Sequence, residues 1–299
     1  MLRPLNPIAP PVRTTPTDGV LLVDKPSGMT SHDVVAIARR ALGTRRVGHT
    51  GTLDPFATGL LVLLVGRATR LAQFVDGEPK VYEATISFGN ETTTDDLTGE
   101  KTRLADPPND AAIDRGIEVL TGSIEQRPPD YSAKKLAGRK AYAAARAGAP
   151  LELQPVSVVV HEWIVRQRTP STLDVTISCG GGTYIRALAR DLGRIADSAA
   201  HLTVLRRIRS GSFDVADATS LVALREQAPP RLLPLRSAIP HLSTRRLGDD
   251  ELARVQHGNT VNAESDAGLV ALLDADGNLV ALAEREGPVL HPRVVMRHA

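Results

Sequence analysis

Residues Arg46 to Leu61 constrain this chain more than any other stretch. They run a loop punctuated by Gly48, Gly51, Pro55 and Gly59 straight into the apolar run Leu60 to Val65. Six consecutive apolar residues next to such a loop read as a strand buried on both faces. Glycine permits backbone with positive φ and close approach of another group. Pro55 pushes Asp54 out of the helical region. Asp54 is therefore expected on a rigid, irregular loop at the mouth of a buried strand. Such loops are where chemistry is usually carried, but Asp-Pro is also a plain turn initiator. From the loop alone both readings stand.

The flanking sequence supplies a scaffold. Gly19 to Gly28 reads as a short buried strand ending in a turn. Thr30 or Ser31 caps a helix whose apolar positions Val34, Val35, Ile37, Ala38, Ala41 and Leu42 keep helical spacing, and Gly43 ends it. Thr69 opens a short helix through Val75. Tyr82, Ala84, Ile86 and Phe88 alternate along a strand from Val81 to Gly89. Residues 90 to 110 are polar and acidic and read as loop; Ile113 to Leu120 reads as a short helix. Val156 to Val165 and Leu173 to Cys179 are β-branched strands. Gly180 to Gly182 leads into a helix, Thr183 to Ile195. His201 to Ile208 is a strand and Asp217 to Gln227 a helix. Pro229, Pro230, Pro234 and Pro240 mark a linker, and a β-rich unit follows with a hairpin around Asp274 to Asn278.

A net charge of +2 over 299 residues hides a segregation. Arg127, Lys134, Lys135, Arg139, Lys140 and Arg146 stand against Asp130 alone. Arg39, Arg40, Arg45 and Arg46 form a second basic block, and Arg206, Arg207 and Arg209 a third. Blocks of one sign are usually solvated faces; three in one half suggest a polyanion footprint. The single cysteine, Cys179, suits a reducing compartment and no disulfide framework. The proline-rich first 18 residues lack a signal-peptide core and read as a flexible tail. No apolar run is long enough to span a bilayer.

The histidines are scattered, with no metal-ligand spacing. Walker, dinucleotide-fold and nucleophile-elbow glycine patterns are absent. What remains is Asp54, with tyrosines and arginines. Tyr82, Tyr131, Tyr142 and Tyr184 are the only tyrosines, and all lie between the tail and the C-terminal unit. Tyr82 and Tyr184 fit either a core role with a satisfied hydroxyl or stacking on a nucleobase. Arg186, near a helix start, fits either a bidentate clamp on a carboxylate or a surface charge.

At Gly48-His49-Thr50-Gly51-Thr52-Leu53-Asp54-Pro55-Phe56-Ala57-Thr58-Gly59 the chain resembles the signature of the tRNA pseudouridine synthase B family. Further stretches agree in order: Asp24-Lys25-Pro26 with Gly28, Thr30 and Ser31; Lys80-Val81-Tyr82; Pro128 to Lys135 and on to Gly148; Gly182 to Gly193; and His201 to Gly211. Thr52 stands where the family usually has a smaller residue.

The resemblance implies an α+β chain. Its pseudouridine-synthase fold would have a central mixed or antiparallel sheet flanked by helices, with an RNA-gripping insert at about 127–150. Residues 19–236 would form the catalytic domain and 237–299 a PUA-like domain. It further implies that Asp54 attacks uridine 55 in the TΨC loop of tRNA. Tyr82 would stack on the flipped base, Tyr184 and Leu205 line its pocket, and Arg186 hold Asp54. His49 would occupy the space of the extruded base or stack within the reorganised loop, Lys25 and Pro26 support the active-site loop, and Asp95 stand near the Arg186 network. Arg127, Tyr131, Lys134, Lys135, Arg139, Lys140, Tyr142 and Arg146 would grip RNA. Isomerisation moves no electrons to an acceptor, so no cofactor or metal is expected, and a cytoplasmic monomer acting on the tRNA T-arm is implied. Acidic from Asp249 onward, the last unit is expected to add little tRNA affinity.

Overall fold

In the computed structural model, residues 18–296 are described except 76, 133, 137–138, 148, 150, 227–229 and 265; for 135, 136, 139, 140, 143 and 146 only the backbone is described. The tail expected over 1–18 lies almost wholly outside the described residues. A ten-stranded mixed sheet forms the centre. Its main order is Thr219–Ser220, Gly19–Lys25, Thr58–Val65, Ala200–Ser210, Lys80–Phe88, Thr172–Cys179, Val156–Arg168, Gly122–Gln126. Val47–His49 adds to Thr58–Val65, and Phe213–Asp214 to Ala200–Ser210.

The continuous apolar runs are explained by burial on both faces. In Gly19–Lys25 and Thr58–Val65, Leu21, Val23, Leu61, Leu63 and Val65 enter the core beneath the helices. Val20, Leu22, Leu60, Val62 and Leu64 enter a second core on the opposite face. Lys80–Phe88 instead buries Tyr82, Ala84, Ile86 and Phe88 in the helix-side core, as its alternation predicts. The helix Ser31–Leu42 has a capping box between Thr30 and Asp33 and ends at Gly43. Helix Ile185–Ile195 lies close on the sheet. A Cβ on Gly193 would come within 2.6 Å of the Ala200 amide nitrogen, so only glycine fits there.

Several expectations change. The acidic loop is a hairpin, Asn90–Thr92 paired with Lys101–Leu104, which leaves a tight turn at 93–99. The helix expected from Thr69 is a 3-10 helix that begins at Gly66. Of the helix expected over Asp217–Gln227, Leu221–Arg225 is helical, because Ser220 caps it. The segment expected as an RNA-gripping insert contains a two-residue-per-strand hairpin, Lys135–Leu136 with Arg139–Lys140, and a helix Ala141–Arg146. Ala141, Ala144 and Ala145 of this helix are buried.

The C-terminal unit has its own five-stranded sheet and core. It is not, however, a loosely tethered module. Ala271, Leu273, Leu279, Leu282, Val294 and Met296 complete the second core against Val20, Leu22, Leu60, Val62 and Leu64. Arg67 Nη1 donates to the Met296 carbonyl at 2.9 Å across the junction. The sheet that presents Asp54 on one side is thus sealed on the other by the C-terminal unit.

Candidate active site

The Asp54 loop is held by the residues that precede the first helix. Lys25 Nζ, fully buried, donates to the carbonyls of Pro26 (2.9 Å), Met29 (2.7 Å) and Pro55 (3.2 Å). Burial pulls the Lys25 ammonium down to about 8, against the attraction of Asp54 and Asp33. The Gly28 amide donates to Pro55 O at 2.8 Å. Ser31 Oγ both accepts from Leu53 N (2.9 Å) and donates to Leu53 O (3.2 Å). Asp54 is therefore fixed by backbone contacts on both sides, and its own side chain stays 34% exposed.

Arg186 reaches Asp54 as a fork. Its Nε donates to Oδ2 at 2.9 Å and its Nη2 to Oδ1 at 3.0 Å. The remaining donors go to Thr94 O (2.8 Å) and Tyr131 O (3.0 Å), and Nη1 lies 3.6 Å from Asp96 Oδ2. A guanidinium with every edge engaged has one available orientation. The surface-charge reading of Arg186 fails, since its side chain is 4% exposed.

Asp95 stands close enough to Arg186 to feel its charge, but its ion-pair partner is another arginine. It pairs with Arg190, one helical turn beyond Arg186, at 2.9 Å. The carboxylate facing Arg186 is Asp96. It is fixed from Thr94 Oγ1 (2.7 Å), Thr98 N (2.9 Å) and Thr98 Oγ1 (2.5 Å). Successive residues in a tight turn point apart, and Asp95 takes a positive φ of 59° that sends its side chain to the next arginine. Burial pushes the Asp95 carboxyl up to about 6, with Arg190 and then Arg186 pulling it back.

A cavity of about 280 Å³ opens beside the pair. Tyr82, Tyr184, Leu205, Ile185, Ser132 and Arg207 share its wall with Asp54 and Arg186. Burial raises the Tyr82 phenol above its usual range, with the Arg207 charge opposing the shift. Lys25, Pro26 and His49 are not on the cavity wall. Pro26 is exposed, and its carbonyl takes part in holding Lys25. His49 stands edge-on to His32, ring centroids 5.6 Å apart, and burial lowers its pKa, helped by the charges of His32 and Arg207.

Two residues were missed. Arg207, read as part of a phosphate-binding block, is 2% exposed. It donates to Leu60 O at 2.8 Å and Gly51 O at 3.1 Å, tying the Asp54 loop to the strand beneath. Arg206 pairs with Asp24 and Arg209 with Asp214, and Arg209 stays 56% exposed. Gln126, fully buried, accepts from Tyr184 N (2.8 Å) and donates to Tyr184 O (3.1 Å), which fixes the start of the Arg186 helix. An arginine in an alternating strand and a glutamine before a double proline were the only signals of either.

Of the expected RNA contacts, Arg127 and Lys134 are exposed and Tyr142 is 49% exposed. Arg127 lies 3.6 Å from Asp130. Tyr131 packs edge-on against Tyr142 and turns its carbonyl to Arg186. The side chains of Lys135, Arg139, Lys140 and Arg146 lie outside the described residues. Arg39, Arg40, Arg45 and Arg46 are exposed. No helix of the described residues is long and apolar enough to cross a membrane.

Residues 39–185 match a family described as TruB family pseudouridylate synthase (N terminal domain), and residues 242–297 one described as tRNA Pseudouridine synthase II, C terminal. A tRNA pseudouridine synthase B of Thermobifida fusca (strain YX) is 47% identical over 289 residues, spanning 93% of this chain and 98% of the relative. One from Nocardia farcinica (strain IFM 10152) is 44% identical over 300 residues, spanning 97% and 96%. Among solved structures, that of a Cbf5-Nop10-Gar1 complex superposes with a TM-score of 0.71 at 26% identity, covering 96% of this chain and 88% of the other. With the Asp54 signature, the fold and both halves of the chain in agreement, the chain belongs to the TruB family of tRNA pseudouridine synthases, enzymes that isomerise uridine to pseudouridine in tRNA.

Proposed function

We propose that this enzyme converts uridine 55 in the TΨC loop of tRNA to pseudouridine, with Asp54 as the reacting carboxylate on a flipped-out nucleotide. The observation that carries the proposal is the Arg186 fork, which holds a partly exposed Asp54 at the edge of a cavity floored by Tyr82 and Leu205. Isomerisation breaks the N1–C1′ bond, turns the base and joins C5 to C1′, and the C5 proton is lost to solvent. One carboxylate can start this by attack at C6, by attack at C1′ or by taking the C2′ proton. All three begin at the Asp54 carboxylate. A base in a folded loop must leave its stack to reach that carboxylate. Tyr82 would stack on the base, with Leu205 and Tyr184 bounding the pocket, a reading their shared place on the cavity wall supports.

The exposed cations Arg39, Arg40, Arg45, Arg46, Arg127 and Lys134 support phosphate contacts around the cavity. The insert at 127–150 would grip the T-arm, with Tyr142 exposed for a base or sugar. Action as a monomer in the cytoplasm belongs to the same proposal.

The test is tritium release from tRNA carrying [5-³H]uridine. Wild type should release tritium, and Asp54→Asn should lose at least ~10³-fold, the scale of removing an essential nucleophile. Equal release from both would end the assignment of Asp54.

A further inference from the structure

The Asp54 cavity carries a buried hydroxyl that the proposed chemistry does not use. Ser132 is 4% exposed and lines the cavity, and its Oγ has no hydrogen-bond partner among the described residues. A buried hydroxyl in that state leaves its lost hydration uncompensated. It is also preset. The carbonyl of the preceding Tyr131 accepts from Arg186 Nη2 at 3.0 Å, and Ser132 O accepts from Tyr142 N at 3.0 Å. A few fixed polar groups on an otherwise apolar wall are how pockets orient their ligands.

The other polar groups nearby are largely committed. Arg186 is engaged by Asp54, Thr94 O and Tyr131 O. Arg207 is engaged by Leu60 O and Gly51 O, and Thr183 Oγ1 by Gly180 O. Ser132 is a buried side chain on this wall whose hydroxyl has no hydrogen-bond partner among the described residues.

We infer that Ser132 Oγ hydrogen-bonds the ribose 2′-hydroxyl of the target nucleotide. The inference rests on the reading of Asp54 as the reacting carboxylate. Every atom open to attack by Asp54 (C6, C1′ or the C2′ hydrogen) lies at the glycosidic end of the nucleotide. Ser132 belongs to that end of the cavity, because Arg186 Nη2 binds Asp54 Oδ1 and the Tyr131 carbonyl at 3.0 Å each. The base must turn during the reaction, and the ribose stays tied to the RNA chain. A fixed wall hydroxyl bonded to a base edge would lose its partner midway; bonded to the ribose it keeps it. The 2′-hydroxyl donates and accepts, as serine does, and it is the group that separates RNA from DNA at a site.

The experiment measures binding on the turnover-deficient Asp54→Asn background, with T-arm hairpins carrying uridine or 2′-deoxyuridine at the target position. Replacing the 2′-hydroxyl should weaken binding about tenfold with Ser132 intact, the scale of one hydrogen bond in a dry pocket. Ser132→Ala should weaken the uridine hairpin by the same factor and leave the 2′-deoxyuridine hairpin unchanged. The sugar swap with Ser132 in place reads the bond without touching the protein's packing. Equal weakening of both hairpins by Ser132→Ala, or no response to the sugar, overturns the inference. Failure of the Asp54 assignment shows separately, as tritium release by Asp54→Asn.

Discussion

Asp54 and Arg186, 132 residues apart in sequence, meet as a two-bond fork at 2.9 and 3.0 Å, and Arg186 has its other edges fixed by Thr94 O and Tyr131 O. The arginine thus links the Asp54 carboxylate to the 93–99 turn and to the root of the segment that begins at Arg127. A lysine keeps the charge but cannot make the fork. Arg186→Lys should lower kcat by about 10²-fold, the scale of losing one or two charge-assisted hydrogen bonds, in single-turnover tritium release. A loss below threefold would show that charge alone suffices.

Tyr82 has a different task. Its ring faces the cavity and its hydroxyl lies beside Arg207. Tyr82→Phe retains the stacking face and should bind tRNA within about threefold of wild type, with turnover reduced by about 10²-fold, in the range for loss of a general acid or base. Weakened binding with normal turnover would make Tyr82 an anchor only.

Gly59 is fixed by geometry. It has a φ of 98°, and strand Thr58–Val65 pairs in parallel with Ala200–Ser210 at this point. A Cβ would overlap the Arg207 carbonyl oxygen and lie 2.9 Å from the Arg207 nitrogen. Gly59→Ala should cost about 3 kcal/mol or more, adding backbone strain to overpacking, as read by urea unfolding.

Lys25 is neutralised more easily in the folded state than in the unfolded one, its pKa pulled from 10.5 to about 8. Between those values the unfolded chain binds the extra proton, so this group's contribution to stability rises as pH rises across the window. The stability of wild type relative to Lys25→Met should therefore increase from pH 8 towards 10.5. A flat difference over that range would mean Lys25 keeps its proton when buried.

Removal of residues 237–299 suggests itself as a test of how little the C-terminal unit contributes to RNA affinity. The shared core changes that experiment. Val20, Leu22, Leu60, Val62 and Leu64 would be exposed on the catalytic sheet. At roughly 1.5–3 kcal/mol for each such side chain, the loss is about 10 kcal/mol, comparable with the whole stability of a domain. The truncated chain should fail to give a cooperative unfolding transition. Charge reversal at exposed Asp250 and Glu284 addresses affinity instead, and tRNA binding should change by less than about threefold.

Much of the fold was legible because it is local. Thr30, Asp33 and Gly43 bound the first helix within one run of chain. The period in Val81–Gly89 names its buried face, and the unbroken run Leu60–Val65 announces burial on both sides. Asp54 stood out because glycine and proline act on their immediate neighbours' backbone. The tertiary structure alone decided which polar groups are buried, and against what. Arg207 looks like the cations beside it until strand Ala200–Ser210 is laid along Gly59. Asp95 and Asp96 are interchangeable until a left-handed residue sends one to Arg190 and leaves the other facing Arg186. Ser132 is one more serine until Arg186 and Tyr142 fix the chain on either side of it. Backbone preference and side-chain period act over a few residues, whereas the burial of a charge depends on partners brought from a hundred or more residues away.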